Sequence, residues 1–261
     1  VVGDIQTWTG SGSGFADIST NLANFDSIVR AEKLGNVVII YGERSIAQQL
    51  YRADTDNPFS FGMRVEGKGL SAPRALVNIE GRGHIFLGWE DVYSYDGGQS
   101  VTGIGKEITD EMFQRINMEA IGTSFMVYVK SRKRVRLHVP LDGATSPNYY
   151  FEYNLDEGSW TRGARATTGA GYGELSTALT WNDLSALGLT WDEMTSTWNE
   201  LGGQAGRERL FYGTSAGDIY EDGLSKNLRG VAVDGYFDTK DYTSQGRYEN
   251  EVYAWMELNV E

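Results

Sequence analysis

One hairpin sequence occurs three times in this chain. Residues 81–98 read GRGHIFLGWEDVYSYDGG and residues 206–223 read GRERLFYGTSAGDIYEDG, with six identities at a constant offset of 125 residues. A weaker copy, GNVVIIYGERSI, begins at Gly35. A repeated unit of roughly 40 to 45 residues made of short strands is typical of a β-propeller blade. The sequence therefore predicts an all-β fold, a β-propeller of about five to six blades forming a single domain over 261 residues.

The net charge restricts the classes of partner. The chain has 36 acidic and 23 basic residues, which gives a formal net charge of −13. An acidic surface repels phosphate, whereas a specific nucleic-acid reader needs a basic patch. The charge therefore disfavours specific nucleic-acid binding, but it suits a protein past which DNA slides without sticking.

Two classes of structure are disfavoured by composition and apolar patterning. The chain has no cysteine, which excludes disulfides and thiolate metal sites. The apolar runs are far shorter than the 18 or so residues of a membrane-spanning helix, so we expect no membrane insertion. The chain begins VVGDIQTW, without Met and without the pattern of a signal peptide, and we expect it to be a fragment of a longer product.

Residues 104–117 depart from the strand pattern. In IGKEITDEMFQRIN, apolar residues recur at the spacing of one helical face: Ile108, Met112, Phe113 and Ile116. Thr109 or Asp110 is expected to cap the N-terminus by accepting hydrogen bonds from free amide groups of the first turn. We therefore predict one short amphipathic helix inserted in the β fold.

Residues 124–139 predict the clearest hairpin, in which SFMVYV and RVRLHV flank the turn SRK. The alternation of the second strand places its aliphatic side chains on one face, and it places Arg134, Arg136 and His138 on the other. The chain has two histidines, His84 and His138. Neither has a second histidine or a cysteine nearby to complete a ligand set, so we expect both to be surface strand residues. We expect no catalytic residue, no metal and no cofactor.

Two acidic stretches partly match known motifs. Residues 154–160, NLDEGSW, approach the Asp-box of sialidases, but the leading Ser is absent and Trp160 comes one residue early. Asp54, Asp56 and Asn57 offer oxygen atoms for Ca²⁺, but Pro58 and the lack of a downstream acid argue against a calcium loop. Both stretches are interpreted as turns.

The clearest basic cluster is KSRKRVR, residues 130–136. It contains four candidate contact residues for phosphate or a partner: Lys130, Arg132, Lys133 and Arg134. The alternative interpretation, which we prefer, is a solvated hairpin tip whose cations pair with acidic residues on this chain or on a neighbouring subunit. Such a patch acts over only about 8 Å at physiological salt, so it does not overturn the net charge.

A tryptophan ladder lies in the part of the chain with the weakest strand pattern. The segments TWNDL, TWDEM and TWNEL contain Trp181, Trp191 and Trp198. Exposed indole rings stack on sugars, and the adjacent acids could bind sugar hydroxyls. The alternative, which we prefer, is that each ring folds inward and fixes a loop to the domain.

Several segments, taken in order, resemble the β-propeller virion proteins of tailed bacteriophages. The segments are WTGSGSGFADI, LGNVVIIYGERSI, SAPRALVNIEGRGHIFLGWEDVYSYDGG, IGKEITDEMF, NLDEGSWTRG, the tryptophan ladder and FDTKDY. The resemblance covers most of the chain and includes tail, head–tail-connector and nozzle-type components. It implies a structural role without a catalytic motif.

This resemblance implies a virion protein, not an enzyme, that forms a ring or a platform around the DNA path. Its expected partners are copies of itself and neighbouring tail or connector proteins, with DNA passing unbound during ejection. Other function classes remain open. One is a carbohydrate-binding or receptor-binding module that uses the tryptophan ladder, another is a propeller glycoside hydrolase with paired carboxylates, and a third is a cellular interaction scaffold.

Overall fold

The computed structural model describes residues 22, 25–52, 59–174, 208–222, 227–228 and 231–232. The chain divides into two compact units, Val1–Leu224 and Ser225–Glu261. The described residues of the second unit form a two-stranded antiparallel hairpin of Asn227–Leu228 and Val231–Ala232.

The first unit is all-β and is built from successive antiparallel sheets. The first sheet contains β1 (Ile28–Leu34), β2 (Val37–Gly42), β3 (Ser45–Tyr51) and β4 (Phe59–Glu66). The second contains β5 (Leu76–Ile79), β6 (Gly83–Leu87), β7 (Val92–Tyr95) and β8 (Thr102–Gly103). The third contains β9 (Phe125–Val129), β10 (Arg134–Val139), β11 (Tyr149–Asn154) and β12 (Trp160–Ala164). The fourth contains β13 (Gly169–Glu174), β14 (Glu208–Gly213) and β15 (Ile219–Glu221).

Every sheet is a meander in which strands pair in sequence order. The sheets recur with a nearly constant period, since β5 begins 48 residues after β1, β9 begins 49 after β5, and β13 begins 44 after β9. The three hairpin copies supply the same part of their sheets, namely the second and third strands: β2 and β3, β6 and β7, and β14 and β15. The sequence repeat is therefore a structural repeat.

The first strands of successive sheets are neighbours. β1 contacts β5, β5 contacts β9, and β9 contacts β13. Just before β5, Arg74 makes a parallel bridge to Phe125 of β9. The Arg74 guanidinium also donates to the carbonyls of Thr123 and Thr168, at 3.1 and 3.2 Å, and so connects the segments that lead into β9 and β13.

The hydrophobic core lies between the sheets. Buried side chains fill the space between the first and second sheets, including Ile39, Tyr41, Phe86 and Tyr95. The largest cluster lies between the second and third sheets and includes Ile85, Leu87, Met112, Leu137 and Phe151. A smaller cluster between the third and fourth contains Val127, Val129, Leu210 and Tyr212. The second and third sheets are thus each covered on both faces, which explains the runs of apolar residues in their strands.

The predicted helix is confirmed as α1 (Thr109–Arg115), and it is followed by a 3₁₀ turn (Met118–Thr123). Met112 is fully buried and packs in the cluster between the second and third sheets. The predicted cap is wrong. Ile108 holds the N-cap position, where no side chain caps the helix, and the Thr109 hydroxyl donates to the carbonyl of Gly105 at 2.8 Å.

Candidate functional site

The basic cluster lies at the tip of the hairpin formed by β9 and β10, where a 3₁₀ turn (Lys130–Arg132) connects the two strands. Lys130, Arg132 and Lys133 are exposed, and Arg134 is partly buried. The other predicted contact residues, Trp181, Trp191 and Trp198, lie outside the described residues, as do Asp54, Asp56 and Asn57.

Acidic side chains of the same chain pair with the cations at the tip. Lys130 Nζ lies 2.7 Å from Glu208 on β14, and Lys133 Nζ lies 3.2 Å from Asp156 in the turn after β11. Arg82 of the second sheet shares that Asp156 carboxylate at 3.2 Å. Two cations of the tip, Lys130 and Lys133, are therefore paired with acids of the same chain. Exposed pairs of this kind contribute little to stability, but they reduce the positive field of the tip.

A buried ionic network lies beneath the tip, on the face of β10 that packs toward the fourth sheet. Arg136 is 4% exposed, and both its Nε and its Nη2 donate to Glu152 of β11, at 2.7 and 2.5 Å. Its Nη1 donates to the Tyr212 hydroxyl at 2.7 Å and to Asp222 at 3.0 Å. Arg165 also contacts Asp222, at 3.3 Å. Arg136 thus connects the third sheet to the fourth.

The network keeps its members ionised. Burial by itself would raise the pKa of Glu152, but the positive charges of Arg136 and Arg134 more than offset it, so this pKa lies below its usual value. Asp222 behaves alike, because Arg136 and Arg165 outweigh its burial and lower its pKa. Burial opposes the charge of Arg136, yet Tyr212, Glu152 and Asp222 together raise its pKa. A group held ionised in this way is a poor proton donor or acceptor near neutral pH.

The expectation that both histidines are surface residues is wrong. His84 and His138 are completely buried, each at a contact between two sheets. In His84, Nδ1 lies 2.8 Å from the Tyr41 hydroxyl and Nε2 lies 3.1 Å from the carbonyl of Lys33. The alternation of the strands predicts which side chains share a face, but whether the next sheet covers that face depends on residues far away in sequence.

His138 is enclosed by aromatic rings. It stacks on Phe125 with centroids 4.5 Å apart and planes 8° apart, and it lies close to Tyr150 and Tyr212. Its Nδ1 lies 2.9 Å from the Thr167 hydroxyl. Burial lowers the pKa of His138 well below its usual value, and the cations of Arg136 and Arg165 act in the same direction. The imidazole is therefore a packed neutral ring.

The Asp-box-like stretch forms the turn between β11 and β12. The Asn154 side chain accepts the amide hydrogen of Asp156 at 3.0 Å, and Gly158 closes the turn with φ of 70°. The indole of Trp160 donates to the carbonyl of Ile104 at 2.7 Å, which connects the third sheet to the segment before α1. The stretch is engaged in turn and packing contacts.

The chemistry available in the described part of the chain is limited. No group of three or more His, Cys, Asp or Glu side chains there is arranged to hold a metal ion. Four described carboxyl groups have a shifted pKa, and all four shift downward: Glu90, Asp142, Glu152 and Asp222. No helix in the described residues has the length and apolar character needed to cross a bilayer.

An open depression lies on the fourth sheet. Its volume is about 500 Å³, and its lining includes Gly169, Gly171, Phe211, Gly213 and Ile219. The lining also includes Ala170, Tyr172 and Tyr212, which belong to the cluster between the third and fourth sheets. The comparisons with protein-family models and with curated protein sequences give no match for this chain.

Proposed function

We propose that this chain is a β-propeller structural component of a tailed-bacteriophage particle, in the tail or at the connector or nozzle. Copies of it form a ring or a platform around the path of the DNA, next to other tail or connector proteins. The resemblance of its motifs to virion propellers motivates the choice of particle, and the geometry of the sheets supports the propeller.

The observation that carries the proposal is the adjacency of the first strands. β1, β5, β9 and β13 are successive neighbours, and each sheet presents a face to the next. Blades stacked around a central axis have this arrangement, with the first strand of each blade innermost. At the observed spacing of 44 to 49 residues, the whole chain has room for about five blades, within the predicted range.

The side chains between the sheets favour a rigid part over an enzyme. The two histidines and Arg136 are buried and hydrogen-bonded between sheets, where they hold neighbours together. A glycoside hydrolase needs a carboxylic acid whose pKa is raised, so that it can donate a proton. The buried carboxylates Glu152 and Asp222 have the opposite property, since arginines lower their pKa.

The charge supports passage of DNA without binding. The net charge is −13, and the exposed lysines Lys130 and Lys133 are paired with Glu208 and Asp156. Phosphate therefore meets an acidic surface whose main basic patch is already neutralised in part. A wall of this kind lets a genome move along it.

Mass photometry of the purified 261-residue chain tests the proposal. A structural ring component is expected to give one closed oligomer of defined size as concentration rises, and its ring is expected not to retain duplex DNA at low salt. A chain that stays monomeric at every concentration contradicts ring assembly. Retention of DNA that weakens steeply with salt would instead indicate a basic bore and overturn the role in DNA passage.

A glycan array tests the competing hypothesis, a carbohydrate-binding module. The structural proposal expects no glycan to be retained, and it expects no quenching of tryptophan fluorescence by oligosaccharides. Specific retention that is lost in the variants Trp181→Ala, Trp191→Ala or Trp198→Ala would favour a carbohydrate-binding module instead.

A further inference from the structure

The only two histidines of the chain are both buried where one sheet packs on the next. His84 lies between the first and second sheets, and His138 lies between the third and fourth. We propose that mild acid loosens the first and fourth sheets from the central pair formed by the second and third, because His84 and His138 take up a proton more readily when these contacts open. Acid sensitivity would thus reside in two of the three described contacts between sheets.

The hydrogen bonds of His84 are satisfied in full by a neutral ring. The carbonyl of Lys33 can only accept, so Nε2 carries the hydrogen and Nδ1 accepts from the Tyr41 hydroxyl. In the protonated ring, Nδ1 also becomes a donor, and the Tyr41 hydroxyl loses its acceptor. The Nδ1–H of the cation can still donate to the Tyr41 oxygen, but the Tyr41 hydroxyl hydrogen would be buried without an acceptor at the contact between β2 and β6.

Charged and titratable groups around His84 come from three strands. Glu32 and Arg30 of β1 act in opposite directions on the ring, with Glu32 favouring the cation and Arg30 opposing it. Tyr41 of β2 supplies its hydroxyl, and Tyr95 of β7 is paired opposite His84 in the sheet. Burial is the largest effect and lowers the pKa of His84.

His138 is less able than His84 to accept a proton in the folded protein. Its Nδ1 is engaged with Thr167, and its buried Nε2 has no hydrogen-bond partner among the described atoms. A proton added to Nε2 would therefore create a buried cation whose N–H has no acceptor. Burial of an unpaired charge is among the most destabilising changes that a core can undergo.

The charges facing His138 oppose its protonation as well. Arg136 of its own strand and Arg165 of the segment before β13 are the nearest cations, and both lower its pKa. Their counter-ions, Glu152 of β11 and Asp222 after β15, are bound to the guanidinium groups. The phenols of Tyr150 and Tyr212 pack around the ring, and Phe125 of β9 contributes no titratable group.

The contact between the second and third sheets serves as an internal reference. Its core is apolar and includes Leu87, Met112 and Leu137. Its polar connections include the bond from the Trp160 indole to the carbonyl of Ile104, and neither group titrates in mild acid. This contact is therefore expected to persist when the outer two weaken.

The direction of the effect follows from the two pKa values of each histidine. Well above the ordinary histidine pKa of about 6.5 the ring is neutral in the folded and the unfolded chain, so no stability is lost through it. As pH falls below 6.5, the unfolded chain takes up a proton that the folded chain refuses, and unfolding becomes more favourable. For a histidine that stays neutral when folded, the ratio of unfolded to folded protein rises about 30-fold between pH 7.5 and pH 5.0. We expect the full effect for His138 and a smaller one for His84.

Urea unfolding of the full chain at pH 7.5 and pH 5.0 tests the proposal, with His84→Gln, His138→Phe and the double variant as comparisons. The acid-induced rise in the unfolded fraction is expected to fall by about 30-fold in His138→Phe and to disappear nearly completely in the double variant. An unchanged pH dependence in the double variant would overturn the proposal, because that chain has no histidine left.

A measurement on the unmodified protein covers the case in which a variant fails to fold. The imidazole resonance of His138 in the folded chain is expected not to titrate between pH 7.5 and pH 5.5, and that of His84 is expected to titrate below its ordinary pH. Ordinary titration of both rings near pH 6.5 would contradict buried neutral rings. Hydrogen exchange at pH 5.0 is expected to expose amides of β2 and β14 before those of β6 and β10. Earlier exposure of β6 and β10 would refute the assignment to the outer contacts.

Discussion

Arg136 and Glu152 form a buried ion pair in which two guanidinium nitrogens, Nε and Nη2, donate to one carboxylate oxygen at 2.7 and 2.5 Å. The other oxygen of Glu152 accepts a hydrogen bond from Arg134 at 2.7 Å. Because the third nitrogen of Arg136 reaches Tyr212 and Asp222, the pair also joins two sheets whose partners are 76 and 86 residues apart in sequence. The hairpin of β9 and β10 thus combines an exposed basic tip with a buried ionic network.

Removal of the Arg136 charge from this buried ionic network is expected to destabilise the folded protein. Arg136→Met leaves Glu152 and Asp222 buried with too little positive charge, and we expect the free energy of unfolding to fall by about 3 to 5 kcal/mol. Urea denaturation at pH 7.5 measures it. Arg132→Met, in the turn that precedes β10, is the control, and because Arg132 is exposed we expect a change within about 0.5 kcal/mol. Equal losses in the two variants would contradict the network.

The same network predicts a loss of stability in strong acid. The folded pKa values of Glu152 and Asp222 lie below their unfolded values of about 4.3 and 3.9. Their contribution is therefore complete only well above those unfolded values, and it is lost as pH falls through them toward the folded values. Unfolding measured between pH 4.5 and pH 2.5 is expected to show this loss, and Glu152→Gln is expected to reduce its slope. A slope identical in the variant would exclude Glu152 as its source.

The hydroxyl of Tyr41 is expected to stabilise the contact between the first and second sheets. Tyr41→Phe removes the hydrogen bond to His84 and leaves Nδ1 buried without a donor, which is expected to cost about 1 to 3 kcal/mol. Tyr51→Phe is the matched control, because Tyr51 is 71% exposed. Thermal unfolding of both variants checks the difference, and a neutral Tyr41→Phe would show that the hydroxyl does not support the interface.

The glycine that begins β6 is required by the backbone. Gly83 has φ of +104°, and a Cβ there would lie 2.2 Å from the carbonyl oxygen of Tyr95. We expect Gly83→Ala to lower the free energy of unfolding by about 3 kcal/mol. Gly62→Ala on β4, where a Cβ meets no atom within 4 Å, is expected to change it by less than about 1 kcal/mol. Similar values for the two variants would contradict the described backbone.

Local patterns in the sequence predicted the strands and the helix well. The repeat placed β6 with β7 and β14 with β15, because alternation and turn residues act over a few positions. The match nevertheless concealed one difference. Phe86 of β6 packs toward the preceding sheet, which is the first. On β14 it is Tyr212 that packs toward the preceding sheet, which is the third, and the residue aligned with Phe86, Phe211, lies on the opposite face of the strand. A shift of one residue exchanges the faces of a strand, and identity at an offset does not detect it.

Contacts between sheets could not be predicted in the same way. The burial of His84 depends on β1 and β2, and the burial of Arg136 depends on Tyr212 and Asp222. Histidine and arginine are usually surface residues, so their position on the polar face of a strand by itself indicates exposure. Their partners lie tens of residues away in sequence. The signal in the sequence is that one face of β10 carries Arg134, Arg136 and His138, and that Glu152 lies on the paired strand β11.

The most direct measurement is a cryo-electron microscopy reconstruction of the assembled 261-residue chain. We expect blades around a central axis in each copy, with β1, β5, β9 and β13 innermost, and copies joined in a closed ring around an open, acidic bore. A two-layer sandwich without a radial axis, or isolated copies with no ring, would contradict it.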